Sequence, residues 1–436
     1  MNHEQNLKIF ITAILLLINQ TANAQSILEG AYLLGNLNGV RTRLSEEGID
    51  FAAVYTGDVF SNISGGIRRQ TVYLDNIDLT MALNTQRLFN WDGGAIFIYG
   101  LGIQGKNPNN YVGDVQTIDN IAAFNTWKLY EAWMQQKLFD NYFSILTGLY
   151  DLNSEFQVLQ SSQLFINASH GIGIAFSQTG RNGPSIFPNT TLALRVKWDL
   201  NNSFYAQSAI FNGTAGDPSN PYGTKIIFPK HDGILSVTEM QYFINIQNWK
   251  GGETGRESKS RRRKLTENDY RGKFSAGLWI YSAKFLELGT TYPDKKIIWG
   301  NCGFYLIGEY KLLGDKGIND NGLTVFSRIG FSNSKINRFV SYTGFGAVYT
   351  GLFSGTNKHQ LGIAFAGAHN GKEYILLQKK DSKEVVNSEW NIEITYLYNI
   401  YLWLSFQPDI QYVINPDTNP QIKNALVLGI RCTLIL

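Results

Sequence analysis

The sequence is poor in cysteine, histidine, proline and methionine, and it carries little net charge. Its 436 residues include two cysteines, five histidines, ten prolines and four methionines, and the formal net charge is +3. Cys302 and Cys432 are too few and too far apart for a disulfide framework, so we expect both to be apolar strand residues, with a single pairing left open. The small charge gives no reason to expect nucleic acid or a strongly acidic partner.

Long apolar runs are also missing. After residue 24 no apolar stretch approaches the ~18 residues that a transmembrane helix requires. The first 24 residues have the pattern of a signal peptide: Lys8 precedes the apolar stretch 9–18, and Ala22, Asn23 and Ala24 form a small-x-small cleavage site. We expect cleavage after Ala24, since the apolar stretch is too short to be a membrane anchor. The mature chain is then either an exported soluble protein or a membrane β-barrel.

The few histidines leave little material for catalysis. Ser169 and His170 are adjacent, and neighbours on a strand point to opposite faces, so they form a poor nucleophile–base pair. His359 and His369 have no evident third partner for a metal site. No glycine-rich phosphate loop follows a strand and opens a helix. We therefore predict no enzyme activity, no cofactor and no metal.

Glycine and aromatic residues are abundant, and several segments alternate apolar and polar residues with period two. Segment 191–199 is the clearest, and segments 77–83, 240–246, 392–398 and 426–434 follow the same pattern. Charged and amide side chains occupy the polar face in mid-strand, where a water-filled lumen tolerates them. The apolar face often ends in an aromatic residue, as in the girdles at bilayer interfaces, for example at Trp198, Tyr242, Tyr398 and Phe406. A sheet in hydrocarbon must close, because every backbone group has to be paired.

The expected fold is therefore an all-β, transmembrane antiparallel β-barrel. At ~25 residues per strand with its connection, the mature chain suggests about 16 strands and an aqueous channel. Segment 38–48 predicts a short helix at the periplasmic side, with Asn38 as its cap and Gly48 as its exit. We divide the chain into a signal peptide (1–24), an N-terminal segment with this helix (25–50) and a barrel domain (51–436).

A basic run at 259–264 interrupts the barrel pattern within the stretch 248–271. The simpler interpretation is a solvated loop. The alternative is contact with anionic lipid headgroups or with lipopolysaccharide phosphates.

Several short sequence motifs, most of them towards the two ends of the chain, form a recognisable set. They are Gly39-Val-Arg-Thr-Arg-Leu-Ser-Glu-Glu-Gly-Ile-Asp-Phe51, Tyr55-Thr-Gly-Asp-Val-Phe60, Ser64-Gly-Gly-Ile-Arg-Arg69, Tyr73-Leu-Asp-Asn-Ile-Asp-Leu79, Val112-Gly-Asp-Val-Gln116, Leu129-Tyr-Glu-Ala-Trp133, Tyr150-Asp-Leu-Asn-Ser-Glu-Phe156, Gln407-Pro-Asp-Ile-Gln-Tyr-Val413, Asn415-Pro416 and Ala425-Leu-Val-Leu-Gly-Ile-Arg431. With these motifs in this order, the sequence resembles the carbohydrate-selective porin (OprB) family. The resemblance runs from about residue 30 to residue 436 and is weakest over 213–342.

This resemblance implies a 16-stranded barrel in the bacterial outer membrane that lets mono- or small oligosaccharides diffuse passively. Small sugars would be the permeants, outer-membrane lipid and lipopolysaccharide the surroundings, and a homo-oligomer is left open. Two alternatives remain: a weakly selective porin for other small solutes, and an envelope barrel with a structural or adhesive role. The sequence does not identify the sugar.

Candidate pore-lining residues follow from the alternation of apolar and polar residues and from the motifs that resemble the OprB family. If Tyr130, Ala132 and Met134 face lipid, then Glu131, Trp133 and Gln135 face the lumen, and together they offer an acceptor, a stacking surface and an amide. In a structural role, Glu131 would instead pair with an arginine and Trp133 would pack under an inward loop. The further candidates are Arg41, Arg43, Arg68, Arg69, Asp78 and Arg195.

Overall fold

A computed structural model describes residues 30–436, apart from 202, 218, 221, 225, 227–230, 245–269, 291–295, 315–316, 319 and 353–358. The predicted signal peptide and the basic run 259–264 therefore lie outside the described residues. Among the described residues, no helix is both long and apolar enough to cross a membrane.

Sixteen antiparallel strands form one closed barrel, as predicted. Each strand pairs with its neighbours in sequence, and β1 closes the barrel against β16, with Val54 opposite Ile435. The strands are β1 (Ile49–Gly66), β2 (Gln70–Asn84), β3 (Gly94–Gly105), β4 (Thr126–Leu138), β5 (Phe143–Tyr150), β6 (Thr191–Asn201), β7 (Phe204–Asn212), β8 (Ile234–Ile244), β9 (Gly272–Leu286), β10 (Ile297–Leu313), β11 (Gly322–Ser332), β12 (Phe339–Thr350), β13 (His359–Asn370), β14 (Ser388–Tyr401), β15 (Leu404–Ile414) and β16 (Lys423–Ile435).

The period-two pattern separates an outer face from an inner face, as expected. On β6, Leu194 and Trp198 are exposed on the outside while Arg195 is fully buried inside. On β14, Ile394 is exposed outside and Glu393 is buried inside. A band of exposed apolar side chains on the outer face is what a barrel surrounded by lipid requires. Cys302 and Cys432 are both strand residues and both free, so no disulfide joins them.

Five short α-helices lie outside the sheet among the described residues. They are α1 (Val40–Glu47), α2 (Thr85–Phe89), α3 (Asn109–Val112), α4 (Ile174–Ser177) and α5 (Lys372–Lys380). Helix α1 precedes the first strand, as predicted, and Gly48 ends it in a left-handed conformation. The prediction of Asn38 as the cap is wrong. Gly39 holds that position, and Asn36 accepts a hydrogen bond from the Thr42 amide at 3.1 Å instead.

The two ends of the barrel differ in their connections. The start of β1, the end of β16 and the connections that follow even-numbered strands lie at one end, here called the terminal end. The connections that follow odd-numbered strands lie at the other, here called the loop end. Two loop-end connections, 106–125 between β3 and β4 and 151–190 between β5 and β6, fold into the barrel.

Aromatic side chains pack the inward loops against the barrel wall. Phe176 on α4 stacks on Trp279 of β9, with ring centroids 5.0 Å apart and planes within 7°. Space for Tyr305 on β10 comes from Gly277 on β9, because a Cβ at that glycine would lie 2.0 Å from the Tyr305 ring. A glycine in a strand is costly but permits this close approach. The interior of the barrel is therefore a packed core along much of its wall.

Arg41 connects the segment before β1 to the end of β16, where the barrel closes. Its guanidinium donates to the main-chain oxygens of Gly35 at 3.1 Å, Phe51 at 3.1 Å and Leu436 at 2.6 Å. The same group lies over the Tyr32 ring, 4.0 Å from its centroid. Arg41 therefore links the segment before α1, the first strand and the last residue.

We expect Arg41→Ala to destabilise the closed barrel by about 1.5–3 kcal/mol, because charge-assisted hydrogen bonds to main-chain oxygens are lost. The measurement is the urea midpoint of the refolded protein in detergent micelles, followed by its electrophoretic mobility without heating. Arg43→Ala is the matched control, since Arg43 is exposed on the same helix and its side chain makes no hydrogen bond or ion pair to the described residues. Equal midpoints for the two variants would contradict this role of Arg41.

Candidate functional site

The longer inward loop, 151–190, is organised by its own side chains before it meets the wall. Three 3-10 turns, Leu152–Ser154, Ser161–Leu164 and Ala168–His170, precede helix α4. Asp151 caps the first turn by accepting from the Asn153 amide at 2.8 Å, and Asn167 caps the third by accepting from the Ser169 amide. Such turns leave many backbone N–H groups without a partner inside the loop.

Buried carboxylates on the barrel wall accept these backbone N–H groups. Glu309 on β10 accepts from the amides of Gln160 at 3.0 Å and Ser161 at 2.8 Å, and also from the Ser161 hydroxyl at 2.7 Å. Glu239 on β8 accepts from the Gln157 amide at 2.9 Å.

Strand β14 supplies two more of these acceptors. Glu393 accepts from the amides of Ile166 at 2.5 Å and Asn167 at 3.1 Å. Glu389 accepts from the Val115 amide at 3.0 Å, in the shorter inward loop. We call Glu239, Glu309, Glu389 and Glu393 the wall carboxylates. They bind both inward loops to one part of the barrel wall, from β8 to β14.

Donors on the wall complete the attachment. Arg328 on β11 donates to the main-chain oxygens of Gly171 and Gln157, both at 2.7 Å. Tyr342 on β12 donates to the main-chain oxygen of Ser169 at 2.8 Å. The inward loop thus has both its N–H groups and its carbonyl groups paired with wall side chains.

Arg431 joins the shorter inward loop to the wall near the seam between β1 and β16. Its guanidinium donates to Asp58 of β1 at 2.7 Å and to Asp119 of the loop at 2.9 Å. It also donates to the Asn120 side chain at 2.8 Å. Burial, followed by the nearby Asp58 carboxylate, raises the pKa of Asp119 well above its usual value.

Because the inward loops attach to one part of the wall, the two sides of the lumen differ in how accessible their inward side chains are. From β8 to β16, inward side chains at mid-strand are buried under the loops: Val237, Trp279, Tyr305, Phe326, Val348, Ala364, Glu393, Asp409 and Val427. From β2 to β7, many inward side chains keep part of their surface accessible: Asp78, Thr80, Phe97, Tyr99, Trp133, Gln135, Lys197, Asp199 and Tyr205. Space for a solute therefore lies beside β2–β7, and we call it the open side.

Glu131, Trp133 and Gln135 lie together on the open side, on the inner face of β4. The Trp133 indole N–H donates to Glu131 at 3.1 Å, and the ring stacks on Phe97 of β3 with centroids 5.1 Å apart. Gln135 accepts from Arg195 at 2.8 Å. The group presents a supported aromatic ring beside an amide, with the Glu131 carboxyl buried behind the ring.

Tyr130 does not face lipid, contrary to the expectation from strict alternation. A register shift between β3 and β4 places Tyr130 inside together with Glu131, where its hydroxyl donates to Asp151 at 2.8 Å. Ala132 and Met134 do lie on the outer face. Burial raises the pKa of Asp151 to about 6.

The predicted arginines occupy different places. Arg41 lies at the seam described above, and Arg43 is exposed on α1, so neither lines the lumen wall. Arg68 and Arg69 are exposed in the turn between β1 and β2 at the loop end, because β2 begins only at Gln70 and its alternation does not reach them. No register shift interrupts β1–β2 pairing from Gln70 onwards.

Arg195 and Asp78 do point inwards, in different surroundings. Arg195 is fully buried and donates to Glu155 of the inward loop at 2.8 Å and to the Ser144 hydroxyl at 2.6 Å. It therefore holds the base of the loop against β5 and β6. Asp78 keeps some exposure on the open side and accepts from the Tyr99 hydroxyl at 2.5 Å.

Two buried residues that invite a catalytic interpretation have other roles. The Ser169 hydroxyl donates to the Gln116 main-chain oxygen at 3.3 Å and so joins the two inward loops. His170 lies between the rings of Phe165 and Phe326, with centroids 5.0 and 5.9 Å away. Burial lowers the pKa of His170 to about 3, so it is neutral at physiological pH.

The roles of Glu309, Arg328 and Glu389 in attaching the two inward loops were not predicted. Before Glu309, the inner face of β10 carries Ile307 and the outer face carries Leu306. Both faces are therefore apolar, and the period-two pattern does not mark Glu309 as an inward residue. The signal that could have found it is a carboxylate in the middle of an otherwise apolar strand, because such a charge needs several donors.

Comparison with known proteins identifies the family. The sequence profile of the carbohydrate-selective porin, OprB family matches residues 68–435. This chain belongs to that family. As a member of the OprB family it is an outer-membrane porin for sugars, and the family and the barrel fold together indicate a channel rather than an enzyme.

Individual relatives of this OprB-family chain are distant but extend over nearly its whole length. Porin B of Pseudomonas aeruginosa is 22% identical over 434 residues, which covers 92% of this chain and 90% of that protein. The putative porin QuiX of Acinetobacter baylyi is 21% identical and covers 92% of each chain. The high-pH structure of Pseudomonas putida OprB matches the fold with a TM-score of 0.79, at 21% identity, over 94% of this chain and 99% of that one.

We expect Glu309→Ala to loosen the inward loop of this OprB-family barrel and to increase single-channel conductance and current noise. The reason is that two amides, a hydroxyl and the Tyr270 hydroxyl lose their acceptor. The measurement is a planar-bilayer recording at fixed salt. Glu309→Gln is the control, because it also removes the charge but keeps one acceptor oxygen. If both variants change conductance equally, charge rather than loop attachment controls the current.

Proposed function

We propose that mono- and small oligosaccharides diffuse passively along the open side of the lumen, between the inward loops and strands β2–β7. The observation that carries this proposal is the asymmetry of the interior, with buried inward residues on β8–β16 and accessible ones on β2–β7. No energy source is involved, and the gradient of the sugar drives transport.

Trp133 is the proposed stacking surface on this path. An indole face packs against the C–H face of a pyranose, and its position over Phe97 keeps the ring oriented. Glu131 is buried and accepts from the indole N–H and from the Asp151 amide, so in this proposal it orients the ring. Asp78 and Gln135 add an acceptor and an amide nearby. Weak contacts of this kind speed entry without trapping the solute.

Arg195 has a positioning role in this proposal. Its guanidinium fixes Glu155 and Gln135 at the base of the inward loop, so it sets the distance between the loop and β4. It reaches the permeant only through these neighbours. Arg68 and Arg69 stand at the loop end, where solutes enter or leave.

The surroundings of the barrel follow from its surface. We infer export with residues 1–24 as the signal peptide, a short N-terminal segment up to residue 50 and a barrel domain from 51 to 436. The band of exposed apolar side chains supports contact with outer-membrane lipid, including lipopolysaccharide in the outer leaflet. By the usual arrangement of such barrels, the loop end faces outwards and the terminal end faces the periplasm.

The test is block of single-channel current by glucose and by a disaccharide in a planar bilayer. We expect both sugars to block in a concentration-dependent way, and Trp133→Ala to raise the half-blocking concentration about tenfold, which equals ~1.4 kcal/mol. Trp127→Ala is the matched control, because Trp127 is exposed on the outer face of the same strand. A channel that no sugar blocks, or equal effects of the two variants, would contradict the proposed path.

A further inference from the structure

A cleft of about 600 Å³ opens at the loop end, between the shorter inward loop and the end of the longer one. Its walls include Lys106, Asn110, Tyr111, Phe124, Asn125 and Asn189. We call it the mouth cleft. It lies outside the group formed by Glu131, Trp133 and Gln135, and none of these three residues lines it.

The cleft is rich in side chains that recognise hydroxyl groups. The amides of Asn110 and Asn125 are exposed, and each can both donate and accept hydrogen bonds. Two aromatic rings, Tyr111 and Phe124, stand beside them. Amides next to aromatic rings suit a small polyhydroxylated solute.

Three cations surround the cleft. Lys106 lines it directly. Lys128 on the inner face of β4 donates to the Asn189 side chain at 2.8 Å, and its ammonium lies 4.9 Å from the centroid of the Phe124 ring. The Arg68 guanidinium lies 5.0 Å from the centroid of the Tyr111 ring.

These cations differ from Arg195 and Arg431, two arginines deeper in the barrel. Arg195 and Arg431 are each paired with carboxylates at 2.9 Å or less. By contrast, no carboxylate of the described residues lies within ion-pair distance of Lys106, Lys128 or Arg68. The described residues that line the cleft include no aspartate or glutamate. As far as the described residues show, the site is therefore electropositive.

We propose that the mouth cleft captures monosaccharides that carry a carboxylate, such as uronates, before they enter the lumen. The carboxylate would lie near Lys106 and Lys128, the hydroxyls would bond to the asparagine amides, and the ring would pack on Phe124. An attractive field at the entrance raises the association rate of an anionic solute more than that of a neutral one. The inference rests on the proposed function, because it assumes that sugars pass this entrance.

The experiment compares glucuronate with glucose as current blockers, each added at the loop end of the full-length mature protein in a planar bilayer. The double variant Lys106→Gln/Lys128→Gln should reduce the association rate of glucuronate about tenfold and change that of glucose less than twofold. Lys335→Gln is the control. It removes one exposed lysine from the β11–β12 connection at the same end, eight strands away around the barrel, and should leave both rates unchanged.

Three outcomes would overturn the inference: unchanged glucuronate association in the double variant, equal slowing of glucose and glucuronate, or an equal effect of Lys335→Gln. Loss of open-channel conductance would signal misfolding, so only variants with wild-type conductance are compared.

A second measurement separates this inference from the proposed function. If neither sugar blocks the wild-type channel, the proposed function fails. Saturation-transfer NMR with glucuronate and the detergent-solubilised protein then tests whether glucuronate binds in the mouth cleft, independently of permeation. Transfer that the double variant abolishes supports the site, and transfer that is absent or unaffected by the variant overturns it.

Discussion

The hydrogen bonds between buried wall carboxylates and the backbone of the inward loops are the interactions on which the rest of the interior depends. The loop 151–190 enters the barrel with short turns and many unpaired N–H groups, and Glu239, Glu309 and Glu393 accept from them. Each buried carboxylate is costly to desolvate, and each orphaned N–H would be costly as well. The two costs offset one another only when both partners are present. The loop therefore has one well-defined position, and the shape of the channel follows from that position.

This position makes the lumen asymmetric. Because the carboxylates lie on β8–β14, the loops cover that side and leave β2–β7 accessible, where Trp133 and Asp78 stand. Arg195 fixes the base of the loop from the opposite side of the interior. A porin can thus narrow a sixteen-stranded barrel without any change in its sheet. On the proposed path, the selectivity of the channel would depend on residues of β2–β7, whereas residues of β8–β14 would set its diameter through the loops.

How much could be predicted from the sequence differed between features for physical reasons. The strands and the faces of β6, β8 and β14 were predictable because alternation has a fixed period of two. The inner position of Glu131 and Trp133 follows from the same rule, but Tyr130 does not, since a bulge between β3 and β4 adds a residue to the inner face. Arg68 and Arg69 precede the first residue of β2, so the alternation of that strand does not determine where they point. Glu309 was hidden because apolar residues line both faces of β10. These carboxylates acquire their role only when a distant loop meets them.

The central claim is that solutes reach the wall at β2–β7 and not the wall beneath the loops. The most direct measurement is the reaction of single cysteines with a small cationic thiol reagent, followed by channel current, in a protein where Cys302 and Cys432 are replaced by serine. Ala82→Cys on the inner face of β2 and Ala366→Cys on the inner face of β13 are a matched pair, since Ala82 is exposed and Ala366 is fully buried beside Gln116 of the loop. The account predicts rapid reaction and a change in current at position 82 and no reaction at position 366. Equally fast reaction at both positions would contradict it.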